Sequence, residues 1–245
     1  MGDLRNSAFG TAGQIHDMDG DGDLDLIKNT TLYDVPPWNS RGVIVLFNDG
    51  TGNFNSWQNL VPSNSPYMFE IADFNGDGLL DVYVVDDGSD KLLTATSHTA
   101  DVSLGFNTVN LGFSSTSGFG GNVHAADLDL DGDYDVVVSD VDVDIPPCNS
   151  SRRIAIYENV NGTFNDPYGN TIFDWVTNSY DVALLDINND GLIDILSGKC
   201  QGYDVIMSNN CDLVATSADY DLDGIPDACD VCPTNPSPDC TETVD

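Results

Sequence analysis

Aspartates occupy alternate positions of DMDGDGDLD, residues 17–25. Two carboxylates about 4 Å apart repel by about 4 kcal/mol at an effective dielectric near 20, so a fold that gathers five of them calls for a cation in their midst. Similar clusters stand at DFNGDGLLD (73–81), DLDLDGDYD (127–135), DINNDGLID (186–194) and DYDLDGIPD (219–227). The shared pattern is D-x-[DN]-x-D-G-x-x-D. Side-chain oxygens at its positions 1, 3, 5 and 9, with the carbonyl of position 7, make an all-oxygen cage. Calcium takes 6–8 such ligands at about 2.3–2.6 Å, and glycine at position 6 permits the turn. Magnesium gives up its water reluctantly, and zinc prefers histidine or cysteine. An EF-hand would carry glutamate at position 12 and then a helix. Position 12 of the first four clusters is Lys28, Val84, Val138 and Ser197, followed by strand formers. These are calcium loops between β-strands.

The elements around the loops repeat with them. The first four clusters begin at residues 17, 73, 127 and 186, which are 56, 54 and 59 residues apart, whereas the fifth begins only 33 residues later, at 219. An alternating segment precedes each of the four (GQIH, YMFEIA, NVHAA, YDVALL). A β-rich run follows (LDLI, LDVYVV, YDVVVS, IDILS), and then a second strand (GVIVLFN, KLLTATS, RIAIYEN, YDVIMSN). In the first three repeats NFNSWQ, FNTVNLG and NTIFDWV supply a fourth strand. Four short antiparallel strands per repeat describe a propeller blade. The expected fold is all-β: a four-bladed β-propeller with blades at about 11–60, 66–113, 120–178 and 180–212. The strand-like piece at 1–10 would close the ring by completing blade four, because an open edge must be covered. Blades one and three share aspartate at loop position 3 and the related loops DVPPWNSRG and DIPPCNSSR, while blades two and four have asparagine there and short loops. The chain reads as a duplicated pair of blades. Residues 213–245 form a separate tail.

Composition narrows the partners. Forty-one acidic residues face seven basic ones, for a formal net charge of −34. Nucleic acid and anionic membranes need Lys/Arg to displace counterions and are not expected as partners. No apolar run approaches the ~18 residues of a membrane span. The start, MGDLRNSAFG, lacks the apolar core of a signal peptide, so a secreted protein would be represented here by its mature form or a fragment. Six cysteines, clustered towards the C-terminus, suit an oxidising, extracellular setting.

AFGTAGQIHDMDGDGDLDL and GFGGNVHAADLDLDGDYDV resemble FG-GAP/VCBS-type repeats, as in the β-propellers of integrin α-subunits and many secreted bacterial proteins. The resemblance covers about residues 9–210 and implies loops whose calcium is mainly structural. Family propellers are often seven-bladed, so four blades is a departure. Carried over, the ligands are Asp17, Asp19, Asp21, Asp23 (carbonyl) and Asp25 in blade one. They are Asp73, Asn75, Asp77, Leu79 (carbonyl) and Asp81 in blade two, and Asp127, Asp129, Asp131, Asp133 (carbonyl) and Asp135 in blade three. Blade four offers Asp186, Asn188, Asp190, Leu192 (carbonyl) and Asp194. The tail, DYDLDGIPDACDVCPTNPSPDC, resembles a thrombospondin type-3 repeat, which implies a fifth site at Asp219, Asp221, Asp223, Ile225 (carbonyl), Asp227 and Asp230 and a stiff connector.

Six cysteines allow 15 pairings. Proximity in sequence and repeat suggests Cys148–Cys200, Cys211–Cys229 and Cys232–Cys240, with the CxxC at 229–232 also open to a redox or zinc reading. No GxSxG, HExxH or phosphate-cradling glycine loop occurs. His16 and His124 read as packed strand residues and His98 as an exposed loop residue. Trp38, on a long loop, is a candidate ligand contact, where a ring stacks on a sugar or anchors a protein. Sequons stand at Asn29, Asn149 and Asn161. The expectation is a non-enzymatic extracellular calcium-binding structural or adhesion module that assembles through its tail. A carbohydrate-binding propeller is the alternative, and an accessory domain of a secreted enzyme the weaker one.

Overall fold

The computed structural model describes residues 12–30, 42–61, 66–86, 89–100, 103–111, 119–141, 153–165, 179–189, 191–199 and 202–206. Trp38, Asp190, all six cysteines, the segment 1–10, the sequon at Asn149 and the tail lie outside them.

Fifteen strands and no helix are formed by the described residues, arranged as four antiparallel sheets. Blade one holds β1 (Gly13–His16), β2 (Asp25–Thr30), β3 (Gly42–Phe47) and β4 (Ser56–Asn59). Blade two holds β5 (Pro66–Ala72), β6 (Asp81–Asp86), β7 (Lys91–Thr99) and β8 (Ser103–Asn110). Blade three holds β9 (Phe119–Ala126), β10 (Asp135–Val141), β11 (Arg153–Val160) and β12 (Thr163–Asn165). Blade four holds β13 (Ser179–Leu185), β14 (Asp194–Lys199) and β15 (Gly202–Ile206). Each sheet is a simple meander in chain order. The fold is a four-bladed β-propeller. The first three blades have four strands each and the described part of the fourth has three.

One expected strand is replaced by another. The piece NTIFDWV (170–176) lies outside the described residues, and the partner of β11 is instead β12, with Asn159 opposite Phe164. The turn between them is the dipeptide Asn161-Gly162, at φ 50° and 80°. Both central residues at positive φ make the tight hairpin turn that matches strand twist, and Asn-Gly favours it. A two-residue turn forces pairing with the next residues along.

β3 and β6 are buried along their whole length, and in β6 Val82 and Val84 face the first core cluster while Tyr83 and Val85 face the second. Among the described residues the core consists of three clusters, at the interfaces of blades one and two, two and three, and three and four. Ile27, Val45 and Phe47 of blade one meet Phe69, Ile71 and Val84 of blade two. Tyr83 and Leu92 meet Val136, Tyr157 and Phe164 across the second interface, and Val137 and Ile156 meet Val182 and Ile195 across the third. At about 25 cal/mol per Å² of apolar area removed from water, these interfaces dominate the stability.

The first strand of each blade adds polar links between neighbours. Gln14 Nε2 donates to Glu70 Oε1 (3.1 Å) and to the Phe69 carbonyl (3.2 Å), joining blades one and two. Glu70 Oε2 lies 3.6 Å from His124 Nδ1, joining two and three, and holds the imidazole above its ordinary pKa. The Asn122 amide donates to Asp181 Oδ1, joining three and four. Exposed apolar side chains lie where blades one and four look away from these interfaces: Ile15 on one, Tyr203 and Val205 on the other. Each face borders a cavity, of about 300 and 330 Å³.

Candidate metal centres

Each acidic cluster connects the first two strands of its blade. The register places His16 opposite Asp25, Ala72 opposite Asp81, Ala126 opposite Asp135 and Leu185 opposite Asp194. The residue before position 1 therefore pairs with position 9, and the cluster is a long hairpin turn clamped at its base.

One hydrogen bond within the loop recurs in all four. One carboxylate oxygen of position 1 accepts the amide of the position-6 glycine, from Gly22, Gly78, Gly132 and Gly191, at 2.7–3.1 Å. In the first three, position 3 accepts the amide of position 5, and position 5 that of position 7. Each carboxylate oxygen carries two lone pairs, so these bonds leave acceptor capacity for a cation. Positions 4 and 6 both have positive φ in every loop: Gly20, Gly76, Leu130 and Asn189, then the four glycines. Position 6 is evident from the pattern. Position 4 is a requirement that the sequence reading missed, although Gly20, Gly76 and Asn189 carry its signal.

Position 9 is the structural centre of the loop. Asp25, Asp81 and Asp194 are 0% exposed and Asp135 2%. One oxygen of each accepts the amide of position 2 at 2.9–3.0 Å. The other, in the first three blades, accepts an amide at or beyond the end of the sheet's third-strand contact, from Asn48, Ala95 or Asn159, at 2.7–2.9 Å. Burial pushes the pKa of Asp25 and Asp81 up to about 6 and that of Asp135 to about 7. Burial likewise raises Asp129 to about 6 and Asp127 above the usual carboxylate range, with Asp131 nearby adding to both shifts. Desolvated carboxylates are the groups for which a cation does most.

The residues fit a hard divalent cation. Carboxylate oxygens of Asp17, Asp19 and Asp21 lie within 4.8 Å of one another, as do those of Asp127, Asp129 and Asp135. Asp127 Oδ1 is buried without a hydrogen-bond partner. Every donor is oxygen. At position 7, Asp133 Oδ2 accepts the Asn161 amide (2.6 Å), and Asp23 approaches Gly50, where a side chain would collide with its carboxylate. Both carboxylates lie against the turn between the third and fourth strands of their blade.

Position 2 does a second job. Met18, Phe74 and Leu128 are buried in the first, second and third interface clusters respectively, while Ile187 of blade four is 39% exposed. The loops are thus pinned into the blade interfaces. Phe74 also meets Tyr83 and Phe164 edge-on. The pattern's apolar position 2 was visible in the sequence but carried no assigned role.

A family model for the FG-GAP-like repeat matches the chain twice, over residues 17–84 and 73–138. The chain carries FG-GAP-like repeats. The two matched repeats overlap across the second loop, so they run from the first loop through β10. Blade four lies beyond them, and its loop joins the set through the shared wiring of Asp186 and Asp194. No curated protein matches the sequence. Among solved structures, the chain is similar to one from Agrocybe aegerita, described as the structural basis of specific recognition of non-reducing terminal N-acetylglucosamine by a lectin. The identity is 17% and the TM-score 0.46, over 81% of this chain and 52% of that one. This chain spans about half the length of that lectin chain.

His98, expected on a loop, stands on β7. It is exposed as expected, and its ring reaches the first acidic loop: Nδ1 lies 2.8 Å from the Asp19 carbonyl. Asn29 is fully buried. Its side chain donates to the Pro66 and Tyr67 carbonyls and accepts the Ala12 amide, so this sequon is a structural joint between blades one and two and unavailable to a glycan.

Proposed function

We propose that this protein is an extracellular, non-enzymatic structural or adhesion module held in shape by calcium. The observation that carries the reading is the recurrence of one all-oxygen loop at the same place in four blades, with a buried carboxylate at position 9 of each. Calcium suits this set because it tolerates many oxygen ligands in a flexible shell. Asp17, Asp19, Asp21 and Asp25, with the Asp23 carbonyl, would hold it in blade one, and the matching residues in the other blades. The tail aspartates, Asp219 to Asp230, would hold a fifth ion. Bound calcium supplies positive charge and a cross-link between the two ends of each loop. The residues keep the cage in register through the position-6 and position-2 amides. The acidic surface favours partners that are cationic or calcium-bridged, and the tail is the natural connector to a further domain or subunit.

Calcium binding to the folded state alone raises stability by mass action. The chelated protein should therefore melt well below the protein in millimolar calcium, with calorimetry giving about five ions per chain. An unchanged melt after exhaustive chelation would rule out the calcium role. Turnover of polysaccharide or phosphoester substrates would overturn the non-enzymatic reading, and particle growth with concentration in light scattering would support assembly.

A further inference from the structure

The first two acidic loops are touched by the blade that follows. Blade two reaches loop 17–25 from β7, where His98 Nδ1 donates to the Asp19 carbonyl at 2.8 Å and the imidazole packs against Gly20. Blade three reaches loop 73–81 from β11 and its turn, where Asn159 Nδ2 donates to the Phe74 carbonyl at 2.8 Å. Gly162 lies against Asn75 so closely that a Cβ there would come within 2.9 Å of Asn75 Cβ. The two contacts use different side chains, yet both fall at positions 2 to 4 of the loop and both touch position 3. Asp19 and Asn75 are candidate ligands. From the other side, Met18 and Phe74 pin the same stretch of backbone into the interface with that following blade. A hairpin turn that changes shape on cation release would therefore move a contact of the next blade as well as its own.

We propose that cation occupancy of the first two loops is coupled to the docking of the following blade, with His98 as the positioning residue for loop 17–25 and Asn159 and Gly162 for loop 73–81. The coupling rests on the calcium reading above. It makes the loops a relay along the chain: loop one orders the β7–β8 hairpin, and loop two the β11–β12 turn. Coupling is reciprocal by linkage, so the next blade's contact also tightens the loop's hold on the ion.

Hydrogen–deuterium exchange on the full chain, titrated with calcium, separates the possibilities. Asp17→Asn with Asp21→Asn removes two candidate ligand charges from loop one, and Asp17 also gives up one of its two amide contacts, to Gly20 or Gly22. This pair should abolish calcium-induced protection across residues 91–110 and leave residues 153–165 responsive. Asp73→Asn with Asp77→Asn should do the reverse. In the other direction, His98→Ala should raise the calcium needed to protect residues 17–25 by about two- to tenfold, the size of one lost hydrogen bond, with residues 73–81 unmoved. Gly162→Ala should shift 73–81 and spare 17–25, so a folding defect in one variant does not remove the test. If each loop knockout silences only its own blade, the coupling fails while calcium binding stands. If the wild-type chain shows no calcium-dependent protection anywhere, the calcium reading falls and the coupling with it.

Discussion

Asp81 shows how one residue serves two purposes. Its oxygens accept the amides of Phe74 and Ala95 at 3.0 and 2.7 Å, and it is fully buried. Asparagine offers one acceptor in place of two and turns an NH2 towards an N–H. In calcium, Asp81→Asn should cost about 1–3 kcal/mol for the unpaired amide, with the ligand lost as well. In chelator the same change removes a desolvated charge, a gain of similar size, and the cost should largely vanish. Urea unfolding in both conditions checks the difference; equal costs would show that the carboxylate does not face a cation. Leu130 is the opposite case. It occupies position 4 at φ 60°, where the other loops have Gly20, Gly76 and Asn189, and it is 40% exposed. A left-handed conformation costs an L-residue roughly 1–2 kcal/mol, and glycine gives back part of this in unfolded-state entropy. Leu130→Gly should therefore stabilise by about 0.5–1 kcal/mol, and a lower urea midpoint would contradict it.

At the scale of the element, the loop and the strand pair beneath it titrate together. Burial raises Asp25, Asp81 and Asp129 to about 6 and Asp135 to about 7, above the unfolded value of about 3.9. A carboxyl whose folded pKa is raised binds its proton more tightly when folded. Its contribution is fully present below about pH 4 and is lost as pH rises through 6 to 7. The chelated protein should accordingly melt higher at pH 5 than at pH 8. Calcium competes with those protons, so in millimolar calcium the order should reverse. Thermal melts at the two pH values, each with calcium and with chelator, give the answer; parallel behaviour in both sets would break the link between the buried carboxylates and the ion. Much of this element was legible beforehand. Alternate aspartates and Gly22, Gly78, Gly132 and Gly191 announce a tight oxygen-lined turn, and the alternation in GQIH and YDVALL announces the strands. The fourth strand of blade three was not legible, because NTIFDWV and Thr163–Asn165 both suit a strand and only the Asn161-Gly162 turn decides between them. Nor were the links across blades, such as Gln14 to Glu70 or His98 to Asp19. They join residues 56 and 79 apart in sequence, and a repeat pattern describes each blade without its neighbour.

For the whole molecule the controlling quantity is charge. A formal −34 at pH 7 repels itself throughout, and folding concentrates that repulsion. Five divalent ions carry ten positive charges, so the loaded protein would stand near −24, still strongly acidic. Two effects of ions can thus be told apart. Screening acts on every carboxylate, and its reach falls from about 30 Å at 0.01 M salt to about 10 Å at 0.1 M. Specific binding acts only at the loops. Raising sodium chloride from about 10 to about 300 mM should lift the melting temperature of the chelated protein, because long-range repulsion is relieved. It should not replace calcium, since a monovalent ion cannot fill a cage of 6–8 oxygens built for a divalent one. With calcium saturating, the salt effect should shrink in proportion to the charge removed and persist because most of the charge remains. Scanning calorimetry across this grid separates the contributions. If salt alone recovers the full calcium-loaded melting temperature, the loops are an acidic surface and not ion-built joints, and the repeated geometry of Asp17–Asp25 and its three counterparts would need another cause.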